Sequence, residues 1–398
     1  MENNLKTVRF TVFLIVLLDV MGLGLIIPGQ PFLAQQFGAD TATITQLSTV
    51  YSMMQFFLIP VWGSLSDRYG RRPILIATLL LTMGGHLLFA LSKNLAVLFF
   101  ARALAGIGAA NIATAQAVLS DTHGPAERSR AMALVGAAFG LGFVLGPALG
   151  GMLFQIDERA PAALAAFLAL GNIGLVCARL RETRPATPAG GAHRVSLKAL
   201  LTAEGSLRPL VMTTLCMMTA FALMEQSIGL FIKSVWVTTD GVAGMKDATQ
   251  LTSNFLVVVG ITAIFVQGFL VRRWLITTRE TTLLRRGLFV IACSLALIPC
   301  LGWFGNYALF LPAGALLALG SGMFTPSMAG LVSLACPPEK QGIGLAINQS
   351  AMALGRIIGP LFAGALFAYG RSTPFVTGVV LTVVALGVST RVRIARPM

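Results

Sequence analysis

Runs of about 20 mostly apolar residues, the length an α-helix needs to cross a bilayer, recur along this chain of 398 residues. Lipid offers the backbone no water, so such a run has to close its own hydrogen bonds as a helix. A membrane barrel would show shorter segments of alternating polarity, and the sequence lacks them. Twelve spans are predicted, at about 9–29, 43–63, 73–92, 95–120, 129–154, 160–180, 208–235, 249–271, 286–304, 306–335, 341–368 and 372–391. Only 11% of the residues are charged, whereas a soluble domain carries roughly 25%. Most of the surface therefore does not meet water, and the reading is an all-α integral membrane protein.

The stretch at about 181–207 is the one long polar connection, broken by Pro185, Pro188 and Gly190-Gly191. It divides the chain into two six-helix bundles, 1–180 and 208–398, with 181–207 as a cytoplasmic linker holding a short amphipathic piece near 195–201. The net charge is +14, and 22 of the 29 Lys and Arg fall on the side of the predicted termini. That is the positive-inside pattern, so the basic balance reports topology rather than nucleic-acid binding. It puts both termini in the cytoplasm and the chain in the inner (plasma) membrane. The run after Lys6 and Arg9 has no cleavage site and reads as a first span rather than a removed signal. The five Cys form no C-x-x-C and the three His are widely separated, so no metal site, disulfide framework or cofactor is expected. With no nucleophile–base set and no G-x-x-x-x-G-K-[ST], neither an enzyme nor ATP drive is expected. The molecule is read as a monomer.

Between the second and third spans lies Gly63-Ser-Leu-Ser-Asp67-Arg68-Tyr-Gly70-Arg71-Arg72-Pro73. Its glycines permit a tight bend and close approach, and its charges can pair with neighbouring helix ends. The segment resembles the loop signature of the major facilitator superfamily, G-x-L-a-D-R-x-G-R-[RK]. That resemblance implies a conformational latch made by Gly63, Asp67, Arg68, Gly70, Arg71 and Arg72, which breaks as the transporter switches state. In the fifth span, glycines at four-residue spacing expose backbone along one helix face and Pro147 removes a ladder hydrogen bond. The residues Gly136, Gly140, Gly146, Pro147, Gly150 and Gly151 are similar to that family's antiporter motif, which goes with export of drug in exchange for protons. The fourth span carries Arg102-Ala-Leu-Ala-Gly106-Ile-Gly108-Ala-Ala. A charge within a span is costly and functional by default, with snorkelling to the outer surface as the alternative. The segment resembles R-x-x-x-G-x-G-[AG]-[AG], whose Arg is tied to proton coupling.

Two acidic residues fall deep within spans, Asp19 and Glu225, 206 residues apart. The loop signature has an eroded partner at an offset of about 205, and the Gly-Pro segment has one at about 212. The repeat thus places the two acids at near-equivalent positions of the first and seventh helices. A carboxyl in a low-dielectric site can bind and release a proton near neutral pH, and when ionised it attracts a cation, which gives a scheme for exchange. The surroundings of Asp19, L-L-D-x-M-G-x-G-L-I-x-P, resemble the first helix of twelve-span drug–proton antiporters, tetracycline exporters among them. Spans three and nine lack the acids those exporters carry there, which puts tetracycline itself in doubt. Polar candidates for the substrate cavity are Gln55, Asn111 and Gln116 in the first half, and Gln226, Asn254, Asn348 and Arg356 in the second. Arg356 either pairs with Glu225 or receives an anionic cargo, and His86 reads as a packing residue. The whole points to a proton-coupled secondary transporter that exports a small, largely apolar compound by alternating access. Its partners are the small-molecule substrate, protons and the lipid bilayer. The alternatives are a metabolite uptake symporter and an exporter of an endogenous product such as a siderophore.

Overall fold

The computed structural model describes residues 2–109, 111–122, 125–183, 205–270, 273–274, 278–336 and 341–392. The expected amphipathic piece near 195–201 lies outside them. Every regular element among the described residues is a helix. The first half holds α1 (Glu2–Ile26), α2 (Gln30–Gln36), α3 (Thr41–Tyr69), α4 (Arg71–Ala90), α5 (Leu95–Gly108), α6 (Asn111–Thr122), α7 (Pro125–Ile156) and α8 (Ala160–Arg179). The second holds α9 (Leu207–Trp236), α10 (Gly241–Phe265), α11 (Glu280–Gly302), α12 (Tyr307–Leu334), α13 (Gln341–Tyr369) and α14 (Thr373–Ser389). A π-helical turn, Val266–Leu270, continues α10.

Ten segments are long and apolar enough to cross a membrane, with α5 and α6 counted together as Leu95–Leu119. The other two expected spans are helical but fall short. In α3, 29 residues long, Thr41, Thr43, Thr45, Gln46, Ser48 and Thr49 dilute the hydropathy of the first half. In α14, the apolar run is only 17 residues. The fourth expected span divides: α5 stops at Gly108 and α6 begins at Asn111. Gly108 presses so closely on α4 that an added methyl would lie 2.6 Å from Thr78 O.

The chain forms two compact units. The first contains α1, α2, α3 from Val50 onward, α4 to α8, and the Asp240–Val257 part of α10. The second contains α9, the rest of α10, α11 to α14, and the Thr41–Thr49 start of α3. In the first unit α1 packs on α7 and α8, and α4 on α5 and α8. In the second, α9 packs on α13 and α14, and α11 on α12 and α14. The pairings repeat helix for helix. The apolar centre of the first unit is formed by residues such as Val12, Ile15, Val16, Leu75, Leu79, Val118 and Val176, all fully buried.

Glycine contacts fix the register of the repeat. A methyl added at Gly146 on α7 would lie 2.8 Å from Gly24 Cα, and Gly142 meets Leu17 and Val20. On α13, Gly355 meets Met218 and Thr219, and Gly359 meets Ala222 and Leu223. Side-chain bonds agree: Asn172 Nδ2 donates to Ile15 O at 2.9 Å, and Thr213 Oγ1 donates to Ala385 O at 3.4 Å. Gly22 meets Ala165, and Gly378 meets Ala220. The offset from α7 and α8 to α13 and α14 is 213 in each case (Gly146 to Gly359, Ala165 to Gly378, Asn172 to Ala385). The offset from α1 to α9 is 198, as from Ile15 to Thr213 and from Gly22 to Ala220. This corrects the expected equivalence of Asp19 and Glu225. The counterpart of Asp19 lies at Met217, and Glu225 sits eight residues beyond it, roughly 12 Å at 1.5 Å per residue.

These close approaches generate a stability prediction. Gly146→Leu and Gly355→Leu each force a side chain into backbone and should cost about 1–3 kcal/mol, lowering the melting temperature of the detergent-purified protein by several degrees. Gly171→Leu, with nothing within 4 Å of its position, should be silent in the same size-exclusion melting assay.

Candidate functional site

Asp19 lies on the fifth turn of α1, among apolar residues. Its Oδ1 accepts a 2.8 Å hydrogen bond from Asn111 Nδ2, at the first residue of α6. Asn111 is 1% exposed. Its amide also reaches Thr82 Oγ1 on α4 at 3.3 Å, and Thr82 Oγ1 in turn donates to Thr78 O at 3.1 Å. The restart of the helix at Asn111 therefore delivers an amide to the carboxyl. An amide serves either protonation state: Nδ2 donates to a carboxylate, and after a flip Oδ1 accepts from a carboxylic acid. Asn111, expected to line a cavity, is engaged inside the first unit.

Arg102 on α5 does not snorkel. It is 3% exposed, with its guanidinium carbon 5.2 Å from the Tyr51 ring centroid and 5.7 Å from that of Phe89. Such cation–π contacts stabilise a desolvated cation by about 2 kcal/mol. Nε and Nη1 have no hydrogen-bond partner. The glycine four residues on explains the fit: a methyl at Gly106 would lie 2.5 Å from Tyr51 O, and Trp62 Nε1 donates to Ile107 O at 2.7 Å. Gln55 Nε2 donates to Ala109 O at 3.4 Å, where α5 ends. Gln116 is half-buried on α6.

In the second unit Glu225 is half-buried on α9, and the charge of Arg356 on α13 acts on it. Asn348 Oδ1 accepts from Thr214 Oγ1 at 2.6 Å, with both residues buried. Gln226 is half-buried on α9. Asn254, exposed on the part of α10 that belongs to the first unit, accepts from Gln250 Nε2 at 3.0 Å.

The turn between α3 and α4 is organised by Arg71. Its Nη1 lies 2.5 Å from Asp67 Oδ1 and its Nε lies 2.8 Å from Asp121 Oδ2 at the end of α6. Nη1 also donates to Ser66 Oγ at 2.6 Å. Gly70 adopts φ +108° and caps α4. The Glu182 carboxylate covers that cap, accepting from Arg71 N at 2.8 Å and Arg72 N at 3.2 Å. A carboxylate there satisfies open N–H groups and the helix dipole. Arg72 Nη2 donates to Cys177 O at 2.8 Å on α8, and exposed Arg68 stacks over Tyr69. One expectation needs correction: Gly63 faces open space, with nothing within 4 Å, and the close approach belongs to Gly70. Asp121 and Glu182 were not singled out from the sequence. Their partners lie 50 and 111 residues away.

On α7, Gly142, Gly146 and Gly150 face α1, and Pro147 meets Gly24. Gly151 turns the other way and meets Ser253 on α10. Gly140 is half-buried on the same helix, and the surroundings of Gly136 lie outside the described residues. Beyond Gly151 the helices are joined twice, Gln155 Nε2 donating to Lys246 O at 2.7 Å and Lys246 Nζ to Gln155 O at 2.6 Å.

The sequence matches the family model described as Major Facilitator Superfamily over residues 12–300 and 281–397. It is 31% identical over 372 residues to the class H tetracycline resistance protein of Pasteurella multocida, covering 90% of this chain and 88% of that protein. It is 24% identical to multidrug resistance protein 1 of Bacillus subtilis, with 93% and 92% covered. Among solved structures, the human organic anion transporter MFSD10 (TETRAN) superposes with a TM-score of 0.74 at 22% identity, covering 97% of this chain and 99% of that one.

The Arg71 hub yields a double-mutant test. Arg71→Leu leaves Asp67 and Asp121 facing one another without their cation, which should cost about 1–3 kcal/mol and lower both melting temperature and transport. Adding Asp121→Asn should recover part of both, with the coupling read from the four-variant cycle.

Proposed function

Because this chain belongs to the major facilitator superfamily, we propose that it couples the export of a small, largely apolar drug to proton entry. The chain is a multi-pass plasma-membrane secondary transporter with drug-efflux relatives, and not an enzyme.

The observation that carries the reading is the Asp19–Asn111–Thr82 chain inside an apolar bundle. Burying a carboxyl is costly, and here it is met by an amide that can serve the acid or the anion. Protonated Asp19 is neutral and lets the bundle close dry. Ionised Asp19 attracts the positive portion of a cargo. Proton and cargo thus compete for one group, and competition for one group across two alternating states is exchange. Arg102, held between two rings in the same unit, supplies a fixed positive charge, and we assign it a supporting part in coupling. In the second unit the charge of Arg356 acts on Glu225, which we read as partly offsetting its own. We assign Glu225 the weaker part in coupling, consistent with its place eight residues off the repeat. Gln55, Gln116, Gln226, Asn254 and Asn348 remain proposed cavity residues, and monomeric action with both termini in the cytoplasm belongs to the same proposal.

The relatives' names suggest tetracycline and organic anions such as fluorescein for the cargo panel, and ethidium is added as a lipophilic cation that an ionised Asp19 would attract. In a pump-deficient host, wild type should raise the inhibitory concentration of at least one antibiotic of these classes fourfold or more, and Asp19→Asn should abolish that gain. Equal resistance in the two strains would remove Asp19 from the mechanism. Inverted vesicles then fix direction, since an exporter accumulates cargo inside them when an acid-inside gradient is imposed.

A further inference from the structure

One buried titratable group has so far been given no part. His86 is 4% exposed, and its Nδ1 has no hydrogen-bond partner. It lies on α4 at four-residue steps from Thr82 and Thr78, all three buried, so the residues form one polar stripe on an apolar helix. The middle of that stripe receives Asn111, which holds Asp19. His86 Nε2 faces α1 at Gly22, 3.7 Å from where a methyl on that glycine would stand. Gly22 is three residues past Asp19, roughly 4.5 Å along the helix. The imidazole is therefore one turn beyond the Asp19 network, towards the end where α1 stops. A further turn on, Phe89 lines a small cleft with Ile26, Phe154, Glu158 and Ala162. The cleft, His86 and Asp19 follow one another along a single unit.

We propose that His86 relays protons between that cleft and the Asp19 carboxyl. The inference rests on the proton-coupled reading of Asp19. A proton from water in the cleft adds to the free nitrogen of the neutral ring, and the proton on the other nitrogen leaves for the Asp19 carboxylate. The ring is neutral again, with its tautomer exchanged, and a ring rotation resets it. In this proposal one water carries the proton across the turn between the ring and Asp19, and another across the turn between the cleft and the ring. The charged groups on the elements packed around the ring are Asp19 on α1, three residues before Gly22, Arg102 on α5 and, past Phe89, Glu158 from the segment after α7. Tyr51 of α3 lies against Arg102, α6 contributes Asn111, and α8 contributes Ala165. Arg102 is close enough for its charge to act on His86. With both termini in the cytoplasm, the cleft is on the outer side, from which an exporter draws its protons.

The test uses full-length protein in proteoliposomes with tetracycline, ethidium and fluorescein as probes, comparing wild type, His86→Gln, His86→Glu and Asp19→Asn. Two rates are read for each: uptake driven by a pH gradient, and probe counterflow at equal pH, which needs no net proton movement. His86→Gln should lose at least tenfold in driven uptake while counterflow stays within twofold. His86→Glu, which returns a titratable group, should recover part of the driven rate with its optimum moved to lower pH. Driven uptake unchanged in His86→Gln would overturn the relay, and so would a parallel loss of both rates, which marks a packing residue. If Asp19→Asn keeps wild-type driven uptake while His86→Gln shows the split, the reading of Asp19 fails and His86 feeds another acceptor, overturning the relay as drawn. Wild type that accumulates no probe contradicts the exporter reading itself.

Discussion

A carboxyl group among apolar helices has to be neutral, or it has to be given a partner within the bundle. Asp19 has an amide that answers both conditions, and the local architecture serves that contact. The α5 helix stops at Gly108, where the glycine abuts α4, and α6 begins at Asn111 with its side chain aimed at α1. The glycines of α7 then let α1 lie almost backbone to backbone against it, which fixes where along the bundle the carboxyl stands. A methyl group at Gly146 would move the helix that carries the acid. In this account the small residues hold a charged group in register, and stability alone does not explain them.

At the watery end of the same unit the logic changes. Arg71 joins Asp67, Ser66 and Asp121, and Glu182 covers the first turn of α4. These bonds are partly solvated, so each is cheap to break and remake. Under the proposed function, that suits a segment whose partners change during a cycle, whereas the buried Asp19 network suits a group that holds its place while its proton changes.

Local patterns were legible in the sequence. Asp19 in its helix, the Gly146-Pro147 face, the charged turn and the helical architecture all rest on residues within one or two turns of each other. What was missed depends on pairing at long range. The Asn111–Asp19 bond spans 92 positions and the Glu182 cap 111, and no periodicity announces either. Gly63 misled because a motif glycine was read as a packing glycine, when the conformational demand falls on Gly70 at φ +108°. The pairing of Asp19 with Glu225 misled for another reason. A repeat offset measured in loops was carried into helices, but connections of unequal length shift it from 198 at α1 to 213 at α7. A spacing of 206 therefore fell between the two and matched neither.

The central claim is that one carboxyl, Asp19, gives up a proton when cargo binds. Purified transporter in weakly buffered detergent solution, titrated with a compound it exports while a pH-sensitive dye reports released protons, measures this without any gradient. The account predicts about one proton released per molecule bound by wild type and, at the higher cargo concentration needed to saturate the weaker-binding variant, none by Asp19→Asn. Equal release from the two proteins would contradict it.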